Sequence, residues 1–296
     1  MPTLLDFRRR IRSVKNSQQI TRAMKFVAAA RLRRAQEAAL AARPYAKELA
    51  RVLRSTMARI QEPQHPLLER REEKAVLAIV LTGERGLAGA FNTNILRKAN
   101  EFFRANRDKK IATIPVGKKG RDALKRAGFT FAGEWVNVLA RVEFKTAREI
   151  AKLATDLYAE KKVDSVYIIF SEFKSVMAPN LTIEKLLPVE AISEDKGSNE
   201  EKEPGKKAEV QVDYIYEQPE AQLLDKLLPR YVETQILRAM LESSASEYAA
   251  RMTAMESATK NAGDVIEALT LHMNKVRQAA ITKEIIEIVS GAAYGS

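Results

Sequence analysis

Apolar positions in the first 60 residues can be followed at alternating steps of four and three: Phe7, Ile11, Val14, Gln18, Thr21, Lys25, Ala28, Leu32, Ala35, Ala39, Ala42, Ala46, Leu49, Leu53, Thr56, Ile60. Most are apolar and many are alanine. Residues 4–60 contain no glycine and one proline, Pro44, and are rich in Ala, Arg, Leu, Gln and Glu, all good helix formers. A repeat of 3.5 residues kept up this long predicts a coiled-coil seam, with small alanines admitting a close partner. The N-terminal element, 1–60, is thus a single helix, about 85 Å long over residues 4–60 at the α-helical rise of about 1.5 Å per residue. Pro44 is expected to kink it.

The other end repeats the pattern. Tyr248, Met252, Met255, Thr259, Ala262, Ile266, Leu269, Met273, Val276 and Ala280 again step by four and three. Upstream, Leu237, Leu241 and Ser244 lead in, and the two consecutive fours at Ser244–Tyr248–Met252 resemble a stutter. Residues 219–296 therefore form a second long helix. Neither helix can bury its stripe alone, so the economical arrangement pairs the two chain ends antiparallel.

The middle, 75–217, changes period. Short runs rich in β-formers, Val76–Leu81, Ile111–Val116, Phe129–Val136 and Ser165–Phe170, alternate with helical patterns at Asn92–Asn106, Gly117–Ala127 and Phe144–Lys161. This alternation predicts βαβ units and an open, Rossmann-like α/β sheet. Two more strands are expected at Leu181–Val189 and Glu209–Tyr216, on either side of a charged stretch, 193–207, that reads as a flexible solvated loop. The predicted fold class is α/β: a long antiparallel two-helix coiled coil with an α/β domain inserted in the hairpin.

Charge sharpens this picture once it is located. Residues 1–60 carry fifteen Lys and Arg against three acids, so the whole formal excess of +12 lies on the first helix. An element so one-signed implies an acidic partner. On charge alone, nucleic acid and an acidic protein surface stay equally open. Only Phe7, Phe26 and Tyr45 interleave aromatics with the basic residues, which is sparse for nucleic-acid stacking.

Candidate chemistry adds little. The chain has no cysteine, which excludes disulfides, thiol nucleophiles and cysteine-ligated metals, and His65 and His272 lack a ligand spacing. No metal or cofactor is expected. No run approaches the roughly 20 apolar residues that span a bilayer. Met1-Pro2-Thr3 leads straight into the patterned helix, which predicts no leader peptide. Gly83, Gly86 and Gly89 follow a strand and open a helix, but match neither phosphate-binding pattern; nor does Gly117-Lys-Lys-Gly120. Tight strand-to-helix packing is the preferred reading. Glu143, Glu149, Asp156 and Glu160 lie among lysines and arginines, as on a solvated helix face. The methionines Met240, Met252, Met255 and Met273 fall on or beside the seam as core filler. Residues Ala279–Val289 are apolar on several sides at once, and such a helix needs enclosure by other chains.

Four segments carry a family resemblance: Arg10–Gln36 (RIRSVKNSQQITRAMKFVAAARLRRAQ), Gly86–Asn92 (GLAGAFN), Tyr214–Pro219 (YIYEQP), and the C-terminal runs RMTAMESATKNA at 251–262 and NKVRQAAITKEIIEIVSGAA at 274–293. Together, in this order, they closely resemble the γ subunits of F-type ATP synthases. The resemblance implies the central stalk of a proton-translocating complex, one copy in each, turning inside a hexamer of α and β subunits and carrying no active site or cofactor. Its partners would be those α and β subunits, the ε subunit docked on the α/β domain, and the membrane c-ring, with no nucleic acid. Carried over by motif, Met24 and Lys25 would meet the acidic lever loops of the β subunits. Arg277, Gln278 and Thr282 would form the catch with a β subunit, and Tyr214, Tyr216 and Glu217 would meet the ring. The protein would lie peripherally on the cytoplasmic side of the cell membrane. Where many relatives have a cysteine, this chain has Ala88, so a thiol-regulated insertion cannot operate. The 193–207 loop also looks longer than the family minimum.

Overall fold

The computed structural model describes residues 3–59, 65–175, 179–189 and 220–294. Two long helices bracket a sheet. α1 spans Leu4–Arg59 and α5 spans Glu220–Tyr294. Between them run β1 (Ala75–Leu81), α2 (Phe91–Ala105), β2 (Lys110–Val116), α3 (Lys118–Arg126), β3 (Thr130–Phe131), α4 (Phe144–Ala159), β4 (Ser165–Phe173) and β5 (Pro179–Leu187). The chain divides into two compact units. One holds Met1–Ala30, Leu87–Gly89 and Ala249–Ser296; the other holds Arg31–Gly86 and Ala90–Tyr248.

The larger unit is built on a five-stranded sheet in the order β3-β2-β1-β4-β5. β1 lies at its centre, parallel to β2 and β4, and β5 runs antiparallel at one edge. Burial explains the near-continuous apolar reading of β1, since six of its seven residues are buried and both faces are covered. One face packs Leu77, Ile79, Ile168 and Phe170 against Ala147, Ile150, Ala154 and Tyr158 of α4 and against Leu228, Val232, Ile236 and Met240 of α5. Alternate residues Val76, Ala78 and Val80 are equally buried on the other face, where α2 buries Phe91, Ile95, Ala99 and Phe103 at steps of four.

The expected third strand is shorter than its sequence suggests. Only Thr130–Phe131 pairs with β2, and a single bridge joins Val116 to Trp135. Gly133 separates them, at a place where a Cβ would lie 2.8 Å from the Leu153 side chain. A turn of 3-10 helix at Pro66–Leu68 went unanticipated; His65 caps it, accepting from the Leu67 N–H. The strand expected at 209–216 and the 193–207 loop lie outside the described residues.

α1 is continuous through Pro44, which lies on its exposed side. The expected seam is the buried stripe: every position in the series from Phe7 to Thr56 is buried or half-buried. Within the larger unit Arg31 lies over the Tyr248 ring, and Tyr45 lines a groove with Arg230. The sum of paired positions stays nearly constant, the mark of antiparallel helices. At the stutter, Ser244 turns out of the seam and donates to the Leu139 carbonyl at 3.0 Å. Seven consecutive α5 residues, Glu242–Tyr248, are buried there.

Candidate functional site

The smaller unit is where the two chain ends pair. Phe7 meets His272 with ring centroids 5.0 Å apart. The Gln18 side-chain amide donates to the Thr259 carbonyl at 3.3 Å, and the Thr21 and Thr259 hydroxyls share a 2.8 Å hydrogen bond. Gly263 makes room for this contact, because a Cβ there would sit 3.2 Å from the Gln18 amide nitrogen. The polar seam positions Gln18 and Thr21 thus bond across the helices, as buried polar groups must. Lys25 Nζ reaches Glu256 at 2.5 Å. The glycine segment closes against the same helix: at Gly89, whose φ is +55°, a Cβ would lie 3.7 Å from Ala254 Cβ.

Beyond this pairing α5 continues alone. Phe7 lies three residues from the start of α1 and opposite His272, so among the described residues the helix from about Val276 onward has no opposing turn of α1. Its apolar side chains stand in the open: Ile281 is 49%, Ile286 61% and Ile288 72% exposed. An unpaired apolar stretch of this kind marks an interaction surface.

The motif-derived residues fall in distinct settings. Met24 and Lys25 are half-buried at the seam, and Lys25 already holds a partner in Glu256. Arg277, Gln278 and Thr282 are exposed on the unpaired length of α5. Tyr214, Tyr216 and Glu217 lie outside the described residues. Arg8, Arg9, Arg10, Arg12, Lys15 and Arg22 are all exposed, so the basic excess is a surface property. Glu256 was missed by sequence reasoning. Its signal was available only in hindsight, since pairing the two seams opposite each other brings it beside Lys25.

In the larger unit, the amide donors of the glycine-rich turns are committed to the protein itself. Glu84 accepts from the Lys118 N–H at 3.0 Å and from the Val138 N–H at 3.1 Å. The Gly83 carbonyl accepts from the Lys119 N–H at 3.2 Å, and the Thr82 hydroxyl from the Gly120 N–H at 2.7 Å. Three successive N–H groups at the start of α3, which in a phosphate-binding turn would face an anion, therefore meet internal oxygens. Gly117 permits this approach; at φ +103°, a Cβ would lie 1.9 Å from the Thr82 carbonyl oxygen. Asn92 closes the other turn by accepting from the Gly83 N–H at 2.7 Å.

Titratable groups form structural clusters. Glu73 accepts from Lys109 and Tyr167, each near 3.0 Å, and pairs with Lys185 at 3.0 Å. Although burial opposes it, the hydrogen bonds from Lys109, Lys185 and Tyr167 hold its carboxyl down at about 2. Glu143, Glu149, Asp156 and Glu160 are exposed. Among the described residues no group of three His, Asp or Glu could hold a metal ion, and no helix is long and apolar enough to cross a membrane.

A family model described as ATP synthase matches residues 3–293. The chain is 48% identical to the ATP synthase gamma chain of Solibacter usitatus, across 99% of each. It is 46% identical to that of Pelotomaculum thermopropionicum, again across 99% of each. Among solved structures it resembles a chain of the Euglena gracilis mitochondrial ATP synthase (OSCP/F1/c-ring) with a TM-score of 0.66, at 21% identity over 98% of this chain and 93% of that one. A chain of the Tetrahymena thermophila central stalk and c-ring gives 0.59, at 23% identity over 81% and 99%. These two likenesses concern the fold.

Proposed function

The chain belongs to the ATP synthase gamma-chain family, and from that premise we propose that it is the central stalk of a proton-translocating ATP synthase, transmitting torque between the membrane c-ring and a catalytic hexamer of α and β subunits. It is the non-catalytic member, and ATP forms on the hexamer. The observation that carries the reading is the end of α5, whose apolar residues Ile281, Ile285, Ile286, Ile288 and Val289 stand exposed, with none of the described residues covering them. A surface apolar on several sides needs an enclosing sleeve, and such a sleeve permits rotation because dispersion contacts are not directional.

The mechanism is mechanical. In the smaller unit, the seam that joins Phe7 to His272 and Gln18 and Thr21 to Thr259 gives the paired helices resistance to twisting, as seams of interdigitated side chains do. The exposed arginines of α1 would pass acidic loops of the β subunits in turn. Single exposed pairs are worth under about 1 kcal/mol, so they exchange without trapping the rotor. Met24 and Lys25 would lie at that passage, and Arg277, Gln278 and Thr282 would form the catch. Tyr214, Tyr216 and Glu217 would stand at the ring, and ε would dock on the α/β body. The complex would hold one copy of the chain, peripheral to the cytoplasmic side of the cell membrane.

Co-purification tests the proposal directly. A tagged chain expressed in its own cells should bring down nucleotide-binding subunits in threefold excess over itself. Recovery of the chain alone, or with nucleic acid released by raising the salt, would overturn it.

A further inference from the structure

Where α5 is most deeply enclosed it carries a carboxylate that the rotor mechanism does not use. Glu242 is 5% exposed, and its Oε2 is sealed from solvent with no hydrogen-bond partner. The nearest cation is Arg238, one turn back on the same helix, whose Nη1 stands 3.7 Å from Glu242 Oε1. That is too long for a hydrogen bond. Arg238 is committed elsewhere: its Nη2 donates to Glu184 on β5 at 2.5 Å, and its guanidinium lies over the Phe170 ring of β4 at 5.9 Å. Two further charges face Glu242, Glu172 from β4 and Arg43 from α1. Glu172 has its own donor, Asn180 of β5, at 2.6 Å. Of the three carboxylates gathered at this edge of the sheet, Glu242 is the one without a hydrogen-bond donor among the described residues.

We propose that Glu242 is a proton-operated latch, which holds α5 on the β4–β5 edge when protonated and loosens that seat when ionised. Neutral, the carboxyl leaves no unpaired charge in the core. Ionised, it is a buried charge beside Glu172 and Glu184, with Arg238 already taken. Burial without compensation disfavours that form. The latch stands apart from the rotor reading, because it concerns the chain alone; in a rotor it would make the stiffness of the α/β body follow proton activity.

The sign follows from linkage. Burial, with the two like charges, pushes the Glu242 carboxyl up to about 7 from 4.5. Its contribution to holding α5 in place is complete below the ordinary value, declines between the two, and is gone above about 7. Hydrogen exchange of the full chain, read at amides 240–248 and corrected for intrinsic rates, should lose protection by up to about tenfold per pH unit from pH 5 to 7, then level off. Glu242→Gln, neutral at every pH, should show a flat profile over the same range. Equal slopes in the two proteins would sink the latch. Infrared spectra of the wild-type chain labelled at glutamate carboxyls need no variant. They should show a protonated carboxyl at pH 6 that is about half lost near pH 7 and gone well above it, and its absence at pH 6 would overturn the proposal as surely.

Discussion

Lys25 and Glu256 face each other across the two terminal helices, 231 positions apart in sequence and 2.5 Å apart in space. The lysine is one-third exposed and the glutamate more than half, so this is a surface pair. Breaking it with Glu256→Gln should cost the isolated chain less than about 1 kcal/mol in urea unfolding. In the assembled complex the same change releases Lys25 toward the acidic loops it is proposed to meet. ATP hydrolysis by a Glu256→Gln complex should then slow at low salt and recover as salt screens the attraction. Adding Lys25→Gln should erase that salt dependence; if the single variant tracks wild type at every salt concentration, Glu256 does not govern Lys25.

The glycines separate by what surrounds them. At Gly117 a methyl group would meet the Thr82 carbonyl oxygen at 1.9 Å, on a backbone at φ +103°; at Gly86 nothing lies within 4 Å. Gly117→Ala should destabilise the chain by well over 1 kcal/mol, since both strain and collision oppose it. Gly86→Ala should leave the free energy of unfolding within about 0.5 kcal/mol of wild type. Matching losses in the two thermal melts would contradict the assigned approach of α3 to β1.

Both terminal helices were legible because their information is local and repeated. Each seam position from Phe7 to Thr56 announces its burial through its neighbours four and three residues away. β1 and β4 were legible for a related reason: strands covered on both faces read as apolar runs. Relations between distant segments were not. Nothing near Glu84 in sequence says that its carboxylate will meet the amides of Lys118 and Val138. Glu242 looks like an ordinary surface residue of a helix, and only the passage of α5 past β4 and β5 buries it. Strand β3 was overextended because Thr130, Phe131, Trp135 and Val136 suit a strand, while Gly133 between them serves packing against Leu153.

Acid should expose the Glu73 cluster. Its carboxyl is held at about 2, below the ordinary 4.5, by hydrogen bonds from Lys109, Lys185 and Tyr167. A depressed carboxyl stabilises the folded chain above its ordinary value, and that contribution disappears as pH falls from about 4.5 toward 2. Glu73→Gln should therefore lower the urea midpoint at pH 7 and match wild type near pH 2. This is opposite in direction to Glu242, whose contribution fades as pH rises. A difference that persists undiminished to pH 2 would mean that Glu73 acts through packing and not through charge.

The end of α5 separates folding from assembly more cleanly than any other element. Leu53 is fully buried in the core of the larger unit, whereas Ile288 is 72% exposed. Leu53→Ala removes packed methyl groups and should cost about 2–5 kcal/mol in the isolated chain. Ile288→Asp removes nothing that the described residues pack against, so its effect there should stay within about 0.5 kcal/mol. In an enclosing sleeve the ranking reverses. An aspartate among apolar walls carries an unpaired charge that burial penalises. Assembly with the catalytic subunits, measured by co-purification at matched expression, should fall sharply for Ile288→Asp while the folded chain keeps its melting temperature. If Ile288→Asp instead melts early on its own, the tip packs within this chain, and the sleeve that the rotor requires loses its structural basis.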